Sequence, residues 1–165
     1  MRKSFCKWGM KYSFLTIWMF HPLPLSPSIE KRTPFSYNID TKFDRTEGIL
    51  ETIVGYSGSS NPTEYTNPTY KSIHDYAESI RITFDCNKVS YENVLDMFFA
   101  FHTPANPSWA GTQYRSAIFV YNKEQRLLAE ECVKSWGALG KYVSVEDASD
   151  FYRAEEYHQK YLEKF

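Results

Sequence analysis

The chain is poor in cysteine: among 165 residues only Cys6, Cys86 and Cys132 occur, and no two of them stand in a C-x-x-C or Cys/His spacing. That pattern excludes a structural zinc module, and an odd count in a chain of this length offers no disulfide framework. A basic excess is missing as well. The formal net charge is −1 and no run of Lys and Arg occurs, which argues against nucleic acid held through its phosphates. No apolar run approaches the roughly 20 residues needed to span a bilayer, and no internal repeat is evident.

What is abundant is aromatic. Thirteen Tyr and twelve Phe either build a core or line an aromatic pocket. The length suits one domain with one core and is too short for two.

The first thirty residues differ from the rest. Arg2, Lys3, Lys7 and Lys11 precede a mostly apolar stretch from Tyr12 to Phe20, followed by Pro22, Pro24 and Pro27. Basic, apolar and breaker segments in that order are the layout of a secretory signal, although Thr16 interrupts the apolar part and no A-x-A site is visible. A disordered leader is the alternative. Residues 1–33 are therefore expected to form an extension of low order or a signal segment, and 34–165 the folded domain. The expected compartment is the cytoplasm, with a secretory or organellar route left open by the N-terminal segment.

The remainder reads as α+β, a compact mixed β-sheet covered by helices. "ETIVGY" (51–56) is a short strand, followed by a loop to Tyr70 marked by Gly55, Gly58 and a Ser-Ser-Asn-Pro cluster. In "ESIRITF" (78–84), Ile80, Ile82 and Phe84 alternate with Ser79, Arg81 and Thr83, as in a half-buried strand. Ser90 is a plausible N-cap for a helix carrying Tyr91, Val94, Leu95, Phe98, Phe99 and His102 on one face. That helix should end before Pro104. "QYRSAIFVY" (113–121) is a strand, and Asn122 with Gln125 has capping-box spacing for a helix through about Trp136, stopped by Gly137 and Gly140. "KYVSVE" is a further strand and "FYRAEEYHQKYLEKF" a terminal helix.

"VGYSG", "NPTY", "HDYAE", "RITFDCNKVSYENVLDMFFAFH", "GTQYRSAIFVYNKEQ" and "FYRAEEYHQKYL" together resemble, collinearly from about Gly48 to Leu162, the A class of methionine sulfoxide reductases, the peptide-methionine (S)-S-oxide reductases. The resemblance implies a two-layer sandwich of that type and a reaction in which a cysteine thiolate attacks the sulfoxide sulfur while the oxygen is protonated. Oxygen leaves poorly until it gains protons, so such a site needs a nucleophile beside a neutral acid. Glu78 matches the family's acid, and Tyr70 and Tyr114 match the phenols that hold the oxygen. A carboxyl among aromatics at a strand mouth would be desolvated and kept protonated. His74 is read as positional, and His102 as a satisfied buried histidine rather than a ligand.

The resemblance breaks where the family places its nucleophile, in a G-C-F-W-G motif. Threaded back from Gly48, "PFSYNIDTKFDRTEG" puts Phe35 in the cysteine position, with Ser36 beside it and Tyr37 in the tryptophan place. Phenylalanine cannot attack sulfur. The alternative is Cys6 in "FCKWGMKYSF", a C-x-W-G echo displaced by an insertion, which loop-closure entropy permits. Cys6 is then the candidate nucleophile, with Trp8, Tyr37 and Tyr56 as substrate-binding aromatics. Cys86 stands where the family usually has proline. Cys132 lies beside Glu130 and Glu131, whose charge would raise its pKa. Trp109 and Ala110 occupy the stretch where most members carry an Asp.

No cysteine follows Cys132, so an intramolecular resolving partner near the C-terminus is absent and an external thiol reductant, thioredoxin or a small thiol, is expected, with no other cofactor and no metal. The expected partners are oxidised peptides, proteins and methionine sulfoxide, with no nucleic acid and no membrane span, and a monomer is anticipated. The competing reading keeps the pocket without the chemistry: an inactive homologue that binds oxidised methionine or only retains the fold.

Overall fold

The computed structural model describes residues 12–17, 37–102, 104 and 115–160. Its centre is a six-stranded sheet formed by β1 (Tyr12–Ile17), β2 (Ile49–Ser57), β3 (Ala77–Asp85), β4 (Ser116–Val120), β5 (Val143–Asp147) and β6 (Tyr152–Arg153), in the order β5-β4-β1-β3-β2-β6. Pairing is antiparallel except between β4 and β5. With helices α1 (Tyr37–Asp44), α2 (Tyr91–Phe101), α3 (Lys123–Ser135) and the single turn α4 (Gly137–Gly140), this is the expected α+β class with a mixed sheet.

Local sequence explains most of these elements. Along β3 the even-numbered residues Glu78, Ile80, Ile82 and Phe84 are all buried, the last three in the main core, as period-two alternation requires. Helix α2 starts where Ser90 Oγ accepts the Asn93 N–H at 3.2 Å, and it buries Tyr91, Val94, Leu95, Phe98 and Phe99. Each such aromatic or aliphatic side chain contributes about 1.5–3 kcal/mol when fully buried. The chain turns extended at His102, ahead of Pro104. At α3, Asn122 Oδ1 accepts the Gln125 N–H at 2.9 Å while Gln125 Oε1 accepts the Tyr121 N–H at 2.8 Å. The N-cap half of the capping box forms, and the Gln125 side chain reaches back one residue further, to the N–H before the cap.

Two segments depart from the expectation. Strand β1 falls inside the stretch expected to be an extension of low order, yet it pairs with both β3 and β4 in the middle of the sheet. A short run apolar on both faces reads equally as a central strand or as the core of a signal segment. The predicted terminal helix is also absent over its described part: Tyr152–Arg153 is β6 and Glu156–His158 a single 3-10 turn. Tertiary hydrogen bonds explain this outcome. The Gln159 carboxamide accepts the Val54 N–H at 3.0 Å and donates to the carbonyls of Val54 and Ala154 at 2.9 and 3.0 Å. These bonds hold the segment on the β2 edge. Gly55 is what allows so close an approach, since a Cβ there would lie 2.4 Å from the Tyr152 carbonyl oxygen.

Candidate active site

Glu78 stands two residues before Ile80 on the apolar face of β3 and is 7% exposed. Its cross-strand partner in β2 is Tyr56, and Tyr56 in turn pairs with Tyr152 of β6. Directly opposed residues share a face, so the carboxyl and the buried phenol of Tyr56 stand side by side. Tyr70 arrives from the loop between β2 and β3, half-buried against the core. The Glu78 carboxyl and the Tyr56 phenol thus share one end of the β2–β3 pair, and Tyr70 packs against the same core.

The residues that hold this group come from the C-terminal segment. Glu155 Oε2 accepts the Tyr56 hydroxyl at 2.8 Å, and Oε1 accepts the Tyr70 backbone N–H at 3.1 Å. His158, almost fully buried, places Nε2 3.6 Å from Glu155 Oε2 and its ring 5.1 Å from the Tyr70 ring. Burial pushes the Glu155 carboxyl up, but hydrogen bonds from the backbone and the Tyr56 hydroxyl, with the His158 charge, outweigh it and leave the pKa below the usual range. For His158 burial dominates and lowers the pKa despite the Glu155 charge. The Tyr56 phenol is driven far up by burial, then by its bond to Glu155. Tyr56 therefore stays a hydrogen-bond donor. Neither Glu155 nor His158 stands out when its segment is read as a helix; the usable signal was the dense run of ionisable and aromatic residues in "AEEYHQ".

A second hub braces the loops beside Glu78. The Arg115 guanidinium donates to the carbonyls of Asp75 and Gly58 at 3.2 and 2.6 Å and pairs with Glu146 at 3.3 Å. Asp75 accepts from both the Ser59 and Ser60 hydroxyls, bonds that outweigh its burial and lower its pKa. His74 lies exposed on this loop at φ 54°, stacked 4.4 Å from Tyr65. His102 is buried with Nε2 3.1 Å from Ser116 Oγ.

The cysteines are distributed differently from the expectation. Cys86, buried in the turn after β3, is disulfide-bonded, and Cys132 is free. Cys86 is thus disulfide-bonded where no disulfide was expected. The Cys132 thiol is pushed up to about 11, by burial first and then by Asp96, not by its neighbours Glu130 and Glu131. Cys6, Trp8, Phe35, Ser36, Trp109, Ala110 and Tyr114 lie outside the described residues, and Tyr37 opens α1. One described register bears on Cys6. Tyr12 pairs with Asp85 and Ile17 with Ile80, so the first residue of β1 sits seven strand positions, about 23 Å, from Glu78. Among the described residues no group of His, Cys, Asp and Glu could hold a metal ion. No described helix is long and apolar enough to cross a membrane.

Comparison with known proteins gives a consistent picture. The family model described as peptide methionine sulfoxide reductase matches residues 36–165. The peptide methionine sulfoxide reductase MsrA of Trichodesmium erythraeum is 35% identical over 76% of this chain and 76% of its own length, and that of Methanoculleus marisnigri is 36% identical over 78% and 84%. Among solved structures, Mxr1 from Saccharomyces cerevisiae in reduced form superposes with a TM-score of 0.64 at 25% identity, over 93% of this chain and 86% of that one. Mxr1 has also been solved in complex with Trx2. With the family model covering the whole of the sheet after β1 and the relatives more than a third identical over the aligned region, the chain belongs to the peptide methionine sulfoxide reductase family, in its MsrA class.

Proposed function

We propose that this chain acts as a thiol-dependent oxidoreductase on peptide-bound methionine-S-sulfoxide, with Glu78 protonating the sulfoxide oxygen while Tyr70 and Tyr114 hold it. The observation that carries the assignment of roles is Glu78, a carboxyl on the apolar face of a central strand beside the Tyr56 phenol. Burial disfavours the charged form of a carboxyl, and a proton donor must be neutral. The balance of the reaction is simple: sulfoxide and two thiols give thioether, disulfide and water, both protons leaving with the oxygen. Tyr56, Tyr37 and Trp8 are assigned to the walls of the substrate site.

The attacking thiolate is assigned to Cys6 of the reduced chain, and the second thiol to an external reductant, thioredoxin or a small thiol. The complex of yeast Mxr1 with Trx2 supports such a partner. The β1 register favours a second reading, because six residues of fully extended chain before Tyr12 reach only about 21 Å. In that reading both thiols come from outside and the chain supplies the acid and the phenols. A monomer suffices for either reading.

A single-turnover assay tests this. Reduced chain is mixed with excess methionine-S-sulfoxide peptide, with and without a small thiol, and methionine is counted by mass spectrometry beside Cys6→Ser. About one methionine per chain without added thiol, lost in Cys6→Ser, establishes Cys6. Turnover by both chains only with added thiol establishes the external route. No methionine under either condition overturns the reductase reading of this chain.

A further inference from the structure

The acid–phenol reading leaves unused two ionisable side chains of the C-terminal segment, Glu155 and His158. A partly buried carboxylate costs desolvation energy unless hydrogen bonds repay it. Glu155 has two such bonds, and they run to different parts of the site. One oxygen takes the hydroxyl of Tyr56, which is in register with Glu78. The other takes the backbone N–H of Tyr70, 85 residues away in sequence. Three residues on, the His158 ring lies against the Tyr70 ring. A single turn of chain thus holds Tyr70 at both its backbone and its ring.

The loop that carries Tyr70 is braced by other bonds as well, among them the Thr69–Ser72 bridge, the Ser59 and Ser60 hydroxyls donating to Asp75, and the Tyr76 hydroxyl donating to the Tyr65 carbonyl at 2.7 Å. None of these bonds is made by the Tyr70 side chain. We propose that Glu155 is a positioning residue, whose carboxylate bridge from Tyr56 to Tyr70 sets the Tyr70 hydroxyl against Glu78 for recognition of the sulfoxide oxygen. The inference rests on the oxygen-binding role given to Tyr70 above.

The bridge makes a prediction that simple structural glue does not. Without it, the apolar part of the substrate still binds, while the preference for S=O over plain sulfur falls. Calorimetry measures that preference as the ratio of Kd values for a methionine-S-sulfoxide peptide and its reduced counterpart, without thiol reductant. Glu155→Ala is expected to lower the ratio about 10- to 100-fold, the scale of a charge-assisted hydrogen bond. Glu155→Gln restores most of it, since its carbonyl can accept from Tyr70 and its amide can donate to the Tyr56 oxygen. Should Glu155→Ala not fold, Glu155→Asp replaces it, charged but one methylene too short to bridge both donors.

Tyr70→Phe separates the two layers of argument. An unchanged ratio in Tyr70→Phe removes the role of Tyr70 and the inference with it. A fall in Tyr70→Phe without a fall in Glu155→Ala or Glu155→Asp overturns the inference alone, as does full additivity of the two losses in the double variant. A fall in each, with no further loss in the double variant, establishes that Glu155 acts through Tyr70.

Discussion

At the scale of single residues, Glu78 shows how much a two-residue period can carry. Ile80, Ile82 and Phe84 define the apolar face of β3 from sequence alone, and counting back two positions puts Glu78 on the same face. A carboxyl placed there by the alternation is buried by necessity, and the structure leaves it 7% exposed. Glu78→Gln keeps its shape and removes the acid. The expected result is a fall of about 10²- to 10⁴-fold in the single-turnover rate, the usual contribution of a general acid, with peptide affinity little changed by calorimetry. Cys132 is the opposite case. A pKa near 11 leaves about one thiolate in 10⁴ at pH 7, so iodoacetamide should label Cys132 in the folded chain orders of magnitude more slowly than after denaturation.

At the scale of elements, agreement followed the locality of the signal. The α2 and α3 caps, Ser90 and Asn122, sit within three residues of the groups they satisfy, so their spacing could be read directly. Asn122→Ala should cost about 1 kcal/mol of stability in urea titration. The segment after Phe151 was misread because its hydrogen bonds are remote. Gln159 reaches Val54, 105 residues away, through two hydrogen bonds, and these, with a third to Ala154, outweigh a helical pattern that is only moderately favourable in isolation. Gln159→Ala leaves the buried Val54 N–H without its side-chain acceptor, and a loss of about 2–4 kcal/mol is expected in the same titration. Strand β1 was missed for a different reason: a short apolar run has no period that distinguishes a central strand from a signal core.

At the scale of the whole molecule, the two ends of the described domain are tied through carboxylates of α1. Asp40, almost fully buried, accepts the N–H groups of Thr41 and Lys160 at 2.6 and 3.2 Å, and Asp44 pairs with Lys160 Nζ at 2.8 Å. Burial, the largest influence, raises the Asp40 pKa from 3.8 to about 6 despite these bonds. The folded state thus holds the Asp40 proton more tightly than the unfolded chain. Its contribution is fully present below pH 4 and is lost as pH rises through 6, a difference of about 3 kcal/mol. Glu155 and Asp75 work in the other sense, since their lowered pKa values stabilise the fold above pH 4 and that gain is lost under acid. Stability measured from pH 4 to 7 should therefore fall relative to Asp40→Asn as pH rises, because the amide does not titrate.

The sequence by itself determined the α+β class, the apolar faces of β3 and α2, the caps, and the placement of Glu78 on a buried face, since each depends on residues a few positions apart. The family resemblance in its ordered motifs also selected Tyr70 and Glu78 before any contact was visible. Only the tertiary structure decided that β1 completes the sheet, that the C-terminal segment forms an edge strand and a turn instead of a helix, that Cys86 is disulfide-bonded, and that Glu155 and His158 brace Tyr70. Those outcomes depend on pairs separated by scores of residues, and no local period or spacing encodes which distant donor a buried acceptor will meet.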